Sequence, residues 1–507
     1  LCMIWNLESW QQPCYNINNG RCLSLFKWKN TKNIIYEETT NNISPFLSFK
    51  RPHSRVFYLS IILLVITFFV KYQSISFNTI KIHYYKDKDI NDYYLNRKHE
   101  AIYLYIGASI SRLIFGYISD RIGIRQSYCI IIILSTLFGI LNIHYNSIIL
   151  KILSGISSAG FVLSELWVMT MFDINILGLV CGIIAGIGNF GIGLLMILNY
   201  LIITNLNIEL LNYIIYWPYI LYILLIYPVY FMSDDCPYGN FSELKKKYLE
   251  NELENELENE LENELENNLE IDNLDITIYS NGNTLNTEYT TDNYINIANI
   301  IDDISHSKKK FLNAFKNIKI LSIGITYLYS FGIEITLITN IEALLKNITN
   351  FDLNRINFLL LIFSSINIVA RPIGGYLCDK NYEKFKIIGK IKLVLFLILI
   401  TTLCGIILTY YIIYFQDKKN KDVLYNIILI LLISLSFCNN LLQGTIIGII
   451  PHLDSNNLGV ILGIVSSFGT IGGIIGNILF INYNINSLIY INIFGVFTFI
   501  TNTFILL

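Results

Sequence analysis

A segment that crosses lipid must close its backbone hydrogen bonds within itself, and this 507-residue chain contains twelve segments that need to do so. A crossing helix takes ~20 mostly apolar residues to span ~30 Å of hydrocarbon. Six such runs lie near 56–76, 100–119, 126–145, 147–171, 177–203 and 212–232. Six more lie near 316–340, 355–377, 388–414, 423–449, 458–482 and 486–507. Between the sets runs a long polar break. The predicted fold is therefore an all-α polytopic membrane protein with two six-helix halves. Composition agrees: 15% of residues are charged, against ~25% in ordinary soluble domains. The charges crowd into the short stretches between runs.

Four segments follow from this pattern: an N-terminal segment 1–54, a first half 55–232, a linker 233–312 and a second half 313–507. The chain opens on Leu1, so the natural protein is expected to start earlier, and residues 1–50 lack the order of a signal peptide. The linker holds a Glu-Asn-Glu-Leu tetrad repeat from Glu250 to Asn267. Its glutamates repel at four-residue spacing, so a solvated, partly helical tether is expected. Lysine and arginine in short loops set orientation. Arg55, Arg121, Arg125, Lys245 to Lys247, Lys308 to Lys310, Lys380, Lys384, Lys386 and Lys390 all fall on one side of a twelve-helix arrangement. Both termini are then expected in the cytoplasm. The basic loop 77–99 on the other side opposes this.

The most informative feature is an internal repeat. The second run ends Arg112-Leu-Ile-Phe-Gly116-Tyr117-Ile-Ser-Asp120-Arg121, and the eighth ends Arg371-Pro-Ile-Gly-Gly375-Tyr376-Leu-Cys-Asp379-Lys380. Recurrence six runs apart marks two related halves. Each arginine precedes by eight residues an aspartate at the membrane edge, which is ~12 Å of depth. Both guanidinium groups are thus expected near mid-membrane, too deep to snorkel. An arginine there costs ~3 to over ~10 kcal/mol and must find a partner. Two readings remain open: one shared anion between two planar forks, or a separate structural pair with a buried acid.

The fifth run carries Gly186, Gly188, Asn189, Gly191 and Gly193, and the eleventh carries Gly469, Thr470, Gly472, Gly473 and Gly476. Such glycines serve close helix packing or a ligand site, and Asn189 offers an amide donor. Glu165 and Glu334 lie within apolar runs. They are candidate proton carriers, or else partners of an arginine or of Lys71, a charge inside the first run. The nine cysteines are scattered singly, without metal-ligand spacing. No nucleophile–base pair, metal spacing or phosphate loop points to an enzyme. No cofactor is implied, and the net charge of -2 gives no sign of a nucleic-acid partner.

Several stretches resemble a known family. Gly116 to Arg125 (GYISDRIGIR) resembles the loop signature of the major facilitator superfamily. Ala185 to Gly193 (AGIGNFGIG) resembles the signature of the nitrate/nitrite porters within it. Phe161 to Phe172, Ser330 to Glu334, Ala370 to Gly375, Gly448 to Pro451, Leu458 to Val460 and Asp235 to Asn240 are similar to segments of plant and algal high-affinity nitrate transporters. The resemblance implies the major facilitator fold and uptake of nitrate or nitrite by alternating access, as proton symport or anion exchange. The same scaffold moving a monocarboxylate, or a non-transporting nitrate receptor, are the alternatives. It further implies an anion held by Arg112 and Arg371, with Asn189, Phe161, Tyr327, Phe331, Gly188, Gly469 and Thr470 around it. Asp120, Arg121, Arg125 and Asp379 would form conformational latches. Thr470 stands where the family usually has asparagine, and Glu165 where many relatives have glutamine. The lipid bilayer and protons are the other expected partners. The plasma membrane is the expected location, an internal membrane the alternative.

Overall fold

The computed structural model describes residues 52–85, 90–145, 147–172, 175–205, 216–236, 314–349, 353–415, 421–453 and 457–506. The N-terminal segment up to residue 51 and linker residues 237–312 with their tetrad repeat lie outside the described residues.

The first half contains α1 (Pro52–Tyr85), α2 (Ile90–Ile122), α3 (Ile124–Tyr145), α4 (Ile148–Ser154), α5 (Gly160–Met171), α6 (Leu177–Asn205), α7 (Trp217–Leu224) and α8 (Ile226–Phe231). The second half contains α9 (Ile318–Thr349), α10 (Leu353–Ser365), α11 (Asn367–Phe415), α12 (Lys421–Ile449), α13 (Leu458–Tyr483) and α14 (Ser487–Leu506). Ten described helical segments are long and apolar enough to cross a membrane. One of these, Phe358–Tyr414, contains both the eighth and ninth expected spans. They meet at Lys386, whose φ of 55° and ψ of −147° leave the helical region. The sixth span is the shorter apolar segment Trp217–Phe231, made of α7 and α8. Splitting the first and adding the second restores twelve. The fourth span is also interrupted, by a 3₁₀ turn at Gly155–Ala159 between α4 and α5.

Exposure follows the logic of a lipid solvent. On α14, Ile493, Phe497, Ile500 and Phe504 are exposed, while Asn492, Thr498 and Asn502 are buried. A helix that turns apolar side chains out and amides in has hydrocarbon around it. The fourth, seventh and eleventh spans are 83%, 83% and 78% buried, and the twelfth only 33%, so the first three surround the centre and the last lies at the rim. Residues 233–236, expected to open the linker, are instead fastened to the first half. Asp235 accepts from the Arg125 backbone N–H at 2.9 Å, and Trp167 Nε1 donates to the Asp234 carbonyl at 2.8 Å.

The halves meet along two matched contacts, α2 on α13 and α11 on α6. Glycine makes both possible. A Cβ on Gly116 would lie 2.4 Å from the Gly459 carbonyl, and one on Gly375 would lie 1.9 Å from the Gly178 carbonyl. A Cβ on Gly463 would lie 2.8 Å from the Arg112 carbonyl, and one on Gly182 would lie 2.6 Å from the Arg371 carbonyl. The arginine-bearing helices therefore touch the opposite half backbone to backbone.

The two repeat aspartates fasten these contacts. Asp120 accepts from the backbone N–H groups of Gly459 at 3.2 Å and Val460 at 3.1 Å, in the first turn of α13. Asp379 accepts from Gly178 at 3.1 Å and Leu179 at 2.8 Å, in the first turn of α6. Each carboxylate satisfies N–H groups that a helix start leaves open and meets its positive end. At the other end of α2, Arg97 forms an ion pair with Glu342 of α9, and Lys98 donates to the Phe480 carbonyl of α13 at 3.1 Å. The α2 interface is thus tied to the other half at both ends.

Crowding at Gly375 gives a direct check. Gly375→Ala must part α11 from α6 at the Asp379 end. Overpacking costs ~1–3 kcal/mol, so the closed form should lose about 5- to 150-fold in population. Cys378 is fully buried beside Gly448 at this contact. Its alkylation by a small thiol reagent, followed by mass spectrometry, is expected to accelerate by that factor.

Candidate functional site

Arg112 is wholly buried on α2. Its Nε donates to Ser158 Oγ at 3.1 Å and to the Ser158 carbonyl at 3.3 Å, and its Nη1 donates to the Ser466 carbonyl at 2.8 Å. Nη2 has no hydrogen-bond partner. The guanidinium lies between two rings, 5.0 Å from the centroid of Phe161 and 5.2 Å from that of Phe331. Phe161 belongs to the first half and Phe331 to the second. All acceptors of Arg112 are neutral, and no carboxylate lies within ion-pair distance among the described residues. Its charge is held but not cancelled.

Arg371 is equally buried but differently served. Its Nε donates to Asn440 Oδ1 at 3.1 Å, and its Nη2 donates to Glu334 Oε2 at 3.0 Å and to Gln443 Oε1. Nη1 has no hydrogen-bond partner. Glu334 also accepts from Asn367 and Gln443, each at 2.8 Å. The structural pairing weighed as an alternative for both arginines is therefore present at Arg371 and missing at Arg112. Each arginine keeps one terminal nitrogen unspent, and the two groups are close enough to act on one another electrostatically.

Tyr327 and Phe331, one turn apart on α9, stack with centroids 5.3 Å apart and planes within 6°. Gly469 makes room for them, since a Cβ there would lie 2.6 Å from Tyr327 and 2.9 Å from Phe331. The Tyr327 hydroxyl is buried without a hydrogen-bond partner, and both arginines act on it electrostatically. Asn189 donates back to the Ala185 carbonyl at 2.9 Å and keeps its Oδ1 unpartnered. Phe161, Arg112, Phe331 and Tyr327 thus form one chain of contacts from half to half, with Arg371 within electrostatic reach of Arg112 and Tyr327.

Other expected residues fall elsewhere. Thr470 donates to the Ser467 carbonyl at 2.8 Å and bonds Ser109 at 2.9 Å, joining α13 to α2. A Cβ on Gly188 would meet Leu64 of α1 at 2.4 Å, so that glycine serves helix packing. Arg125 joins parts of its own half: it donates to the Ser233 and Tyr230 carbonyls at 2.7 and 3.0 Å and lies 3.6 Å from Asp235. Arg121 lies over the Tyr117 ring at 4.4 Å. Asp120 and Asp379 tie one half to the other; Arg125 does not.

Neither Glu165 nor Glu334 pairs with Lys71. Glu165 lies buried beside the Cys181 thiol, and neither of its oxygens accepts from a nitrogen or hydroxyl. Lys71 is buried with no hydrogen-bond partner, its ammonium over the rings of Phe68, Tyr72 and Tyr105 at 5.6, 5.0 and 5.4 Å. Lys71, Arg112, Arg371, Glu165 and Glu334 are thus buried within the spans, while the buried Lys390 lies at the Asp379 end, 3.8 Å from that carboxylate.

Sequence reasoning missed Asn367, which holds Glu334, and the residues that hold the arginines: Ser158, Ser466, Asn440 and Gln443. A signal existed for the last pair. Asn439, Asn440 and Gln443 put three amides within a single turn or so of an otherwise apolar run, and intramembrane amides mark interior faces.

The described crossing segments, joined in two halves at matched helix pairs around a buried charged centre, have the architecture of a polytopic membrane protein. The chain belongs to the Major Facilitator Superfamily, whose family model matches residues 101–477. Among curated proteins it is similar to the high affinity nitrate transporter 2.7 of Arabidopsis thaliana, with 24% identity over 90% of this chain and 83% of that one. It is also similar to the high-affinity nitrate transporter 2.3 of Oryza sativa subsp. japonica, with 22% identity over 74% of this chain and 62% of that one. Among solved structures, the proton:xylose symporter XylE bound to 6-bromo-6-deoxy-D-glucose matches with a TM-score of 0.60 at 14% identity, covering 89% of this chain and 95% of that one. The human organic anion transporter MFSD10 (TETRAN) matches with a TM-score of 0.54 at 10% identity, covering 91% and 100%. These likenesses show the fold. Family and fold alike are those of transporters and not of enzymes.

Proposed function

We propose that the protein carries nitrate or nitrite across the membrane by alternating access, with the anion bound between Arg112 and Arg371. The observation that carries this reading is the pair of buried guanidinium groups, one from each half, each with one nitrogen lacking an acceptor. A small planar anion offers acceptor oxygens in its plane and takes two such donors at once. The similarity to proteins named as nitrate transporters supports the choice of anion.

Without the anion, Glu334 neutralises Arg371 and the Arg112 charge stands uncompensated, a strain on the centre. Binding relieves it and favours closure, while release lets one latch open. The Asp120 and Asp379 latches would then face the cytoplasm, with both termini, and the plasma membrane is the location we assign. The first half would run from the start of α1 to residue 236, held there by Asp234 and Asp235, and the second over 313–507, with the linker between them outside the transport body. Uptake of one negative charge against an inside-negative potential costs ~2.3 kcal/mol per 100 mV, so inward transport needs protons or an exchanging anion.

Glu334 would serve such coupling through its contact with Arg371. It competes with the substrate for Arg371. A proton on Glu334 cancels its charge and leaves Arg371 free to take the anion, so proton and anion arrive together. Glu165, with no cation paired to it, is the second candidate carrier.

Uptake into proteoliposomes at imposed pH gradients tests the reading. Labelled nitrate should accumulate faster with an inward proton gradient, and unlabelled nitrate or nitrite should compete while lactate does not. Competition by lactate would point to a monocarboxylate carrier. Binding without counterflow would point to a receptor.

A further inference from the structure

Lys71 takes no part in the contacts that hold the arginines or fasten the ends of the interface. It is buried, its Nζ has no hydrogen-bond partner, and no carboxylate lies within ion-pair distance among the described residues. What surrounds it is a cage of ring faces: Phe68 and Tyr72 from its own helix, and Tyr105 from α2. Ring faces attract a cation without accepting its hydrogens in the way an oxygen does. The cage therefore fixes the ammonium in place and leaves all three N–H donors open. Arg112 and Glu334 are the charged groups close enough to act on it, one of each sign.

Its place along the transport axis follows from α2. That helix carries, in order, Arg97 at one end, Tyr105, Arg112 and then Asp120 at the other. Tyr105 lies eight residues from Arg97 and seven from Arg112, ~12 and ~10 Å along the axis. Lys71, seated on Tyr105, thus stands between the Arg97–Glu342 tie and the arginine pair. Tyr105 is itself anchored across the halves, its hydroxyl bonded to Thr339 at 3.2 Å. The Phe68 ring packs edge-on against Phe161, with centroids 6.4 Å apart, and Phe161 lies over Arg112. The cage and the central site share a wall.

We propose that Lys71 forms a second anion-binding position, one step toward the Arg97 end from the arginine pair. The transported anion rests there on its way between that end and the centre. The inference rests on the proposed anion reading and adds a residue and a place to it. The ligand is the same small inorganic anion, met by one compact ammonium with no bidentate fork. Such a site binds weakly and releases readily, which suits a staging point ahead of a tighter one.

The test is nitrate uptake into proteoliposomes by wild-type protein, Lys71→Met and Lys71→Arg. Methionine keeps the stem in its ring cage and removes the charge. The expected result is a KM about tenfold higher in Lys71→Met, and within threefold of wild type in Lys71→Arg. An unchanged KM in a monodisperse Lys71→Met protein overturns the proposal. A measurement on wild-type protein decides the matter if that variant does not fold. Lys71 acetylation by acetic anhydride, followed by peptide mass spectrometry, should slow at least threefold in saturating nitrate. Equal rates with and without nitrate overturn it as well. The two readings fail separately: wild-type protein that neither binds nor transports nitrate removes the functional assignment, whereas active wild-type protein with indifferent Lys71 removes only this site.

Discussion

Arg112→Lys and Arg371→Lys should each abolish most nitrate uptake while leaving the folded protein in the membrane. Lysine preserves the charge and loses the planar fork. At Arg112 the loss falls on three hydrogen bonds, to Ser158 and Ser466, and on the open Nη2. A bond to a charged group is worth ~1.5–3 kcal/mol, so losing one bond to the anion weakens binding about ten- to hundred-fold. The aromatic sandwich of Phe161 and Phe331 adds to the effect, because it is shaped for a flat cation. Proteoliposome uptake over a range of nitrate concentrations measures it. Uptake within threefold of wild type in either variant would remove that arginine from the site.

Glu334→Gln should have the second large effect, and its sign depends on the anion. In wild type the carboxylate neutralises Arg371 through the 3.0 Å contact. Removing one partner of a buried pair costs ~3–5 kcal/mol because the other charge is left uncompensated. The variant without substrate is therefore expected to melt well below wild type. Nitrate can replace the missing charge, so saturating nitrate should recover much of the loss, and its stabilising effect should exceed that on wild type. Glutamine also imitates the protonated carboxyl, so uptake by Glu334→Gln should no longer respond to a proton gradient. Glu165→Gln makes the contrast. No cation is paired with Glu165, so its amide should leave thermal stability near wild type. Proton-driven uptake that persists unchanged in Glu334→Gln would remove Glu334 from coupling.

The crossing segments were legible because each is a long apolar run, and the pairing of halves because Arg112 to Asp120 recurs as Arg371 to Asp379. Helix interruptions were less so. The 3₁₀ turn at Gly155–Ala159, the break within α7 and α8, and the joining of spans eight and nine through Lys386 leave hydropathy almost unaltered. Side-chain partners were the least legible. Glu334 meets Arg371 across 37 residues of sequence and Gln443 across 109, and Arg112 meets Ser466 across 354. Such meetings depend on how each helix is rotated about its axis, which an apolar run leaves open. Thr470 shows the consequence: the family resemblance put it beside the anion, and only the rotation of α13 reveals that its hydroxyl bonds Ser467 and Ser109. Lys71 stood out in the sequence as a charge in an apolar run, but only the fold reveals the aromatic cage around it.

The claim beneath all of this is that one anion draws on both arginines at once. A double-mutant cycle on equilibrium binding of labelled nitrate to purified protein measures that directly, with Arg112→Lys, Arg371→Lys and the two combined. Groups that grip the same ligand do not add. The account predicts that each single substitution removes most of the affinity and that the double variant is barely worse than either. Independent losses that multiply in the double variant, or nitrate bound normally when either arginine is replaced, would contradict it.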